Sequence, residues 1–280
     1  GTAQAAALTT AQIAAMTTGQ VGGLSTAQIS QMSTAQIAAL STNSLAKFST
    51  SQIAALTTAQ VAGLSTSQVL GLTSAQARSL STSQIASLST TQFASLGTDD
   101  LASLSSKQLA GVSTAQIAGL SSSQFASFTS SQIAALSTSQ IASLSTSHVA
   151  ALTTAQIQGL SSSQVGSMTT AQVAAIETAD LAALKSSSVT GFTTAQIAGM
   201  TTNQIQALTS TQVASFATSQ MGGFTTAQVA AFTTSQVQTL KNTQLAALST
   251  TQVAAMGTDD INALKAAQIV AFSSTQIAGM

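Results

Sequence analysis

Charged side chains are scarce in this chain, so their placement carries information. Only 4% of the 280 residues are charged, six cations against six anions. All six acids fall in three short blocks: GTDDLASL with Asp99 and Asp100, ETADLAAL with Glu177 and Asp180, GTDDINAL with Asp259 and Asp260. Asp100, Asp180 and Asp260 stand 80 residues apart (180 − 100 and 260 − 180), and a lysine follows one block later each time, at Lys107, Lys185 and Lys265. Three readings fit this beat. It is a trace of duplication, or it pairs acid with base to fix register between neighbouring coils or chains, or it binds calcium. An exposed ion pair contributes only ~0–1 kcal/mol, so pairing would serve specificity more than stability. Calcium takes about six to eight oxygen ligands, and two or three carboxylates per cluster are thin against that.

Catalytic chemistry has little to work with. His148 is the lone histidine, in STSHVAAL, and no acid lies near it in sequence to orient it as a general base. It is expected to face solvent or to cap a helix. Serines are many, but no G-x-S-x-G elbow, P-loop or G-x-G-x-x-G surrounds them. The chain is expected to be no enzyme and to need no cofactor or metal. With six Lys and Arg in all, and none clustered, nucleic-acid binding is not expected.

The elements that carry these residues come from one phrase repeated without a break. The 280 residues divide into 35 octads, roughly Ser/Thr-Thr-x-Gln-Ile/Val-Ala-x-Leu, as in Ser33–Leu40 and Thr9–Met16. Position 8 is large and apolar in all 35, position 5 in 33 (the exceptions are Ala5 and Ala77), and position 4 is Gln in 29. Position 2 is Ser or Thr in 33 and position 1 in 27; positions 3, 6 and 7 are mostly Ala, Ser or Gly. A short unbroken period implies a one-dimensional array in which each unit stacks on its neighbours. We read residues 1–280 as a single continuous array, expected to be a piece of a longer repeat protein, with an 80-residue superrepeat from about 97 onward.

Three local structures compete. One long helix fails, because eight residues overshoot two turns by about 80° and the apolar stripe would circle the axis. A β-solenoid places positions 5 and 8 on opposite faces of a straight strand, and needs a corner to rescue it. A chain of very short helices fits best. Ser/Thr at position 1 with Gln at position 4 has the spacing of a capping box, and positions 8 and 5 then form a hydrophobic staple. Lys185, Lys241 and Lys265 at the cap fit poorly, and the greater uniformity of position 2 leaves room for a cap one residue later. Helices of about six residues are unstable alone, so neighbours must supply the stability. The expected fold is all-α, a solenoid of one very short helix per octad with positions 5 and 8 inside; the alternative is a β-solenoid.

Hydrophobicity is 44% on a strict frame, which opposes disorder, and polar residues interrupt every eight, which opposes membrane insertion. The octads, through blocks such as Ser33–Leu40 and Thr193–Met200, resemble the LTxxQIAAL-type tracts of very large bacterial secreted or surface proteins, often adhesin-like. The resemblance covers the whole chain and implies an extracellular or cell-surface setting with a spacer or fibre role. We expect a structural repeat protein that self-associates laterally. The alternative is a binding module whose repeated threonines face ice, carbohydrate or a mineral. Dense Ser and Thr leave O-glycosylation open.

Overall fold

A computed structural model describes all 280 residues, and it contains helices only: 34 α-helices of four to six residues and one 3₁₀ helix, Thr218–Gly223. Every octad contributes one helix, as the capping pattern predicts, and the β-solenoid alternative is set aside. Position 1 is the N-cap throughout, which resolves the ambiguity with position 2. The eight caps without a side-chain bond are Gly1, Gly97, Glu177, Lys185, Ala217, Lys241, Gly257 and Lys265. The other 35 − 8 = 27 are the Ser and Thr residues, and each hydroxyl accepts the backbone N–H of position 4.

The chain turns between helices without any left-handed residue; no φ is positive. Positions 8 and 1 are extended instead, as at Met32 (φ −67°, ψ 148°) and Ser33 (φ −70°, ψ 160°). That explains why Gly, Asn and Asp have no fixed place in the repeat. The 3₁₀ helix also has a local cause. Ala217 offers no cap hydroxyl, and Gly222–Gly223 weakens the last turn. One defect alone is tolerated: Thr18–Gly22 carries Gly-Gly under a Thr17 cap, and Asn242–Ala246 lacks a cap bond, yet both are α-helical.

Two compact units divide the chain, Gly1–Ser143 and Leu144–Met280. In each, a helix packs on the helix three octads away, as Ser74–Ser79 does on Thr98–Ser103 and Thr178–Ala183 on Thr202–Ala207. Hydrogen bonds reach slightly further, spanning 28–31 residues. A coil therefore closes with between three and four octads. Positions 5 and 8 line the interior as expected: Ile53, Val213 and Leu245 are fully buried, and Leu80, Leu136 and Leu208 nearly so. The smaller Ala77 is buried too. In the second unit the core includes a file of position-8 rings, with Phe216 and Phe224 edge-on at 5.3 Å and Phe224 to Phe232 at 5.2 Å. The position-5 and position-8 residues that are not fully buried, including the partly exposed Leu8, Met16 and Leu264 and the exposed Ile277, lie in the first and last few octads of residues 1–280. Burying one such side chain contributes roughly 1.5–3 kcal/mol against about 1 kcal/mol for a typical cap, and an interior octad buries two, so apolar stacking holds these short helices in place.

Candidate functional site

Position 4 is where the octad concentrates its polar chemistry. Gln196 illustrates the arrangement. Its Oε1 accepts the Thr193 backbone N–H at 2.7 Å, closing the capping box, while Thr193 Oγ1 accepts the Gln196 N–H at 3.1 Å. Its Nε2 donates to the carbonyls of Val165 (2.9 Å) and Met168 (2.6 Å) on the coil beneath. Each helix end leaves backbone groups without partners inside the helix. One glutamine thus completes the N-terminus of its own helix and the C-terminus of a helix four octads earlier. The same clamp recurs in the first unit, as Gln60 on Ile29 and Met32, and through the second, as Gln212 on Leu181 and Leu184. These glutamines are buried, 1% exposed at Gln212. No buried side-chain nitrogen or oxygen lacks a hydrogen-bond partner.

The clamp was only half legible. A capping box accepts Glu or Gln equally, but the chain uses Gln 29 times and Glu never at this position. Of the two, only the amide can accept at one end and donate at the other; a carboxylate can only accept. Position 2 has a comparable hidden reason. Its methyl lies against the position-7 residue 29 further on, three octads later: a Cβ on Gly111 would meet Thr82 Cγ2 at 2.1 Å, and one on Gly71 would meet Thr42 Cγ2 at 2.2 Å. Uniformity at position 2 reflects inter-coil packing rather than capping.

The 80-residue beat falls on the clamp position. Asp100 and Asp180 are buried, and a carboxylate has no N–H to donate to a carbonyl. They accept from a hydroxyl on the neighbouring coil instead. Ser74 Oγ donates to Asp100 Oδ1 at 2.8 Å, and Thr154 Oγ1 donates to Asp180 Oδ1 at 2.7 Å. The donors obey the same beat, 154 − 74 = 80. Asp100 keeps its cap, accepting the Gly97 N–H at 3.2 Å. Asp260 is equally buried, and burial pushes its carboxyl above the usual carboxylate range. A bond from the Gly257 backbone opposes that rise, and the charge of Asp259 adds to it. Asp99, Glu177, Asp259, Lys107, Lys185 and Lys265 are exposed on their own octads. Of the nine charged candidates, then, the structure brings Asp100 and Asp180 to a neighbouring coil, and their partners there are hydroxyls.

The remaining replacements at position 4 keep parts of the clamp. Ser188 Oγ donates to Leu160 O at 2.7 Å, the shorter reach of the two. His148 is buried, not solvent-facing, and its Nδ1 accepts the Ser145 N–H at 3.2 Å, which is the capping role. No group of three or more His, Cys, Asp or Glu comes close enough to hold a metal ion. No helix is long and apolar enough to cross a membrane.

The motif Ala-Leu-Thr-Thr-Ala-Gln, as at Ala7–Gln12, Ala55–Gln60 and Ala151–Gln156, spans the junction of two octads. The family model for the ALTTAQ repeat matches ten overlapping segments that together cover 18–74 and 93–280. The chain belongs to the ALTTAQ repeat family. The six letters now have structural meanings: the small residue under a neighbouring coil, the buried staple, the cap, the packing hydroxyl, a surface alanine, and the clamp. Of the two unmatched stretches, 1–17 and 75–92, the second holds Ala77 and Arg78, which depart from the ALTTAQ octad at positions 5 and 6. Among curated proteins, none matches the chain.

Proposed function

We propose that this ALTTAQ repeat protein is a structural element of an extracellular or cell-surface fibre, which associates with further copies of itself and carries out no turnover. The observation that supports this reading is where the polar chemistry goes. The glutamines are committed to stacking one coil on the next and the cap hydroxyls to their own helices, and the outer surface is left to Ser, Thr, Ala and Gly with few charges. Near-zero net charge gives copies little mutual repulsion, so lateral association meets a small electrostatic barrier. The alternative, a binding module whose repeated threonines face ice, carbohydrate or a mineral, is most natural on a β-solenoid, and the chain forms helices instead. Sedimentation velocity and electron microscopy across a concentration series test the proposal. Growth of polymers with concentration supports it; dispersed monomers at every concentration sink it. Protease shaving of intact cells tests the location, and a chain released only after lysis rules out the surface.

A further inference from the structure

Lys107 does not sit beside an acid. It shares a groove with Arg78, the lone arginine of the chain. The groove, of about 470 Å³, runs between two successive coils of the first unit and is also lined by Ser81, Thr82, Ser83 and Ser105. Neither Asp99 nor Asp100, the two acids of that unit, lines it. The unit carries Lys47, Arg78 and Lys107 against those two acids, a formal charge of 3 − 2 = +1.

The two cations are neighbours because a clamp makes them so. Gln108 Nε2 donates to the carbonyls of Arg78 (3.3 Å) and Leu80 (2.7 Å), and Lys107 is the residue before it. The backbone under each charge is thereby joined to the backbone under the other. Like charges on facing coils repel, and nothing in the packing requires them, since both side chains are exposed. Hydroxyl donors stand at the same place. Ser81 Oγ accepts the Gln84 N–H at 3.2 Å, which leaves its own proton to donate outward. A planar guanidinium, an ammonium and hydroxyls around an acid-free groove make the donor set that oxygen anions take.

We propose that the Arg78–Lys107 groove binds an oxoanion, a sulfate, phosphate or carboxylate group, either free or carried on an acidic polysaccharide. The guanidinium would take two oxygens side by side, and Lys107 with Ser81 or Ser83 would take the others. The inference is independent of fibre formation, since it concerns one groove within one unit.

The single arginine supplies a site-specific probe, because its Nε–H gives one resonance in a ¹⁵N-labelled full-length chain. Titration with sodium sulfate at constant ionic strength should move that resonance saturably, while sodium chloride should not. Lys107→Gln should weaken sulfate binding about three- to fivefold, the loss of one exposed charge contact, with Lys241→Gln as the unaffected control. Circular dichroism of both variants checks that the helices persist. Dextran sulfate in place of sulfate separates the sources: tighter binding per sulfate group assigns the polymer, and equal binding assigns the free ion. An arginine resonance that responds to sulfate no more than to chloride, or a Lys107→Gln chain that binds sulfate unchanged, overturns the proposal.

Discussion

Thr9–Met16 and Thr193–Met200 differ at one residue of eight, Ala15 against Gly199. Their helices have the same length, Thr10–Ala14 and Thr194–Ala198, and the same capping box. Yet Gln12 is exposed and its side chain bonds only to Thr9, while Gln196 is 2% exposed and holds two carbonyls of another coil. Met16 is partly exposed and Met200 is buried. The octad encodes its helix locally, and position 5 is buried in both (Ile13 and Ile197), but the clamp and the full burial of positions 4 and 8 need a preceding coil. Within residues 1–280, no octad stands four before Gln12 for it to hold.

Four measurements break or sharpen this contrast, and hydrogen exchange suits them because it reads local opening in an array that need not unfold as one unit. The largest effect is expected from Gln→Glu. At Gln196 it keeps the cap acceptor but turns a carboxylate toward two carbonyls, at a cost of about 3 kcal/mol around Val165–Met168. At Gln12 the same change should leave protection nearly unaltered, and equal losses at both sites refute the clamp. Next come the glycines. Gly191→Ala drives a Cβ to 2.0 Å from the Ser162 carbonyl oxygen, so the coils must part, at about 1–3 kcal/mol. Gly23→Ala meets nothing closer than 3.5 Å and should be neutral or slightly stabilising.

Removing the cap should erase the contrast altogether. Thr9→Ala and Thr193→Ala each lose one local hydrogen bond to the helix N-terminus, about 1 kcal/mol apiece, and unequal losses would show that the cap too depends on its neighbours. The smallest effect is expected at Asp260. Its folded-state pKa is raised, so its neutral form is favoured by folding; stability is greatest below the ordinary carboxylate value and falls as pH rises through the raised one. Asp260→Asn should flatten that slope in thermal melts taken from acid to neutral pH. A slope unchanged in the variant assigns it to another group.

Most of the fold was legible because its signals are local. The spacing Ser/Thr-x-x-Gln names the cap, and positions 5 and 8 name the core. What was not legible joins residues 25–31 apart, such as Gln196 to Met168 or Ser74 to Asp100. The coil size that sets those pairs depends on how short helices pack, which no octad contains. The choice of Gln over Glu and the constancy of position 2 did record the inter-coil contacts, although in isolation both look like capping preferences. The charge beat was visible as a pattern, and one of its three readings paired the acids with lysines. Burial at position 4 turned the carboxylates toward Ser74 and Thr154 instead.

The reach of the glutamine clamp has a mechanical side. Because each clamp ties residues 28 to 31 apart, a pull on one end of the array peels its outermost coil before the clamps of the next are broken. The chain would then pay out one octad per broken clamp, about 27 Å of extended backbone each time. Force spectroscopy would record this as many small, equal steps in place of one abrupt rupture. A tether of this kind absorbs a jolt gradually and rewinds from the part still folded.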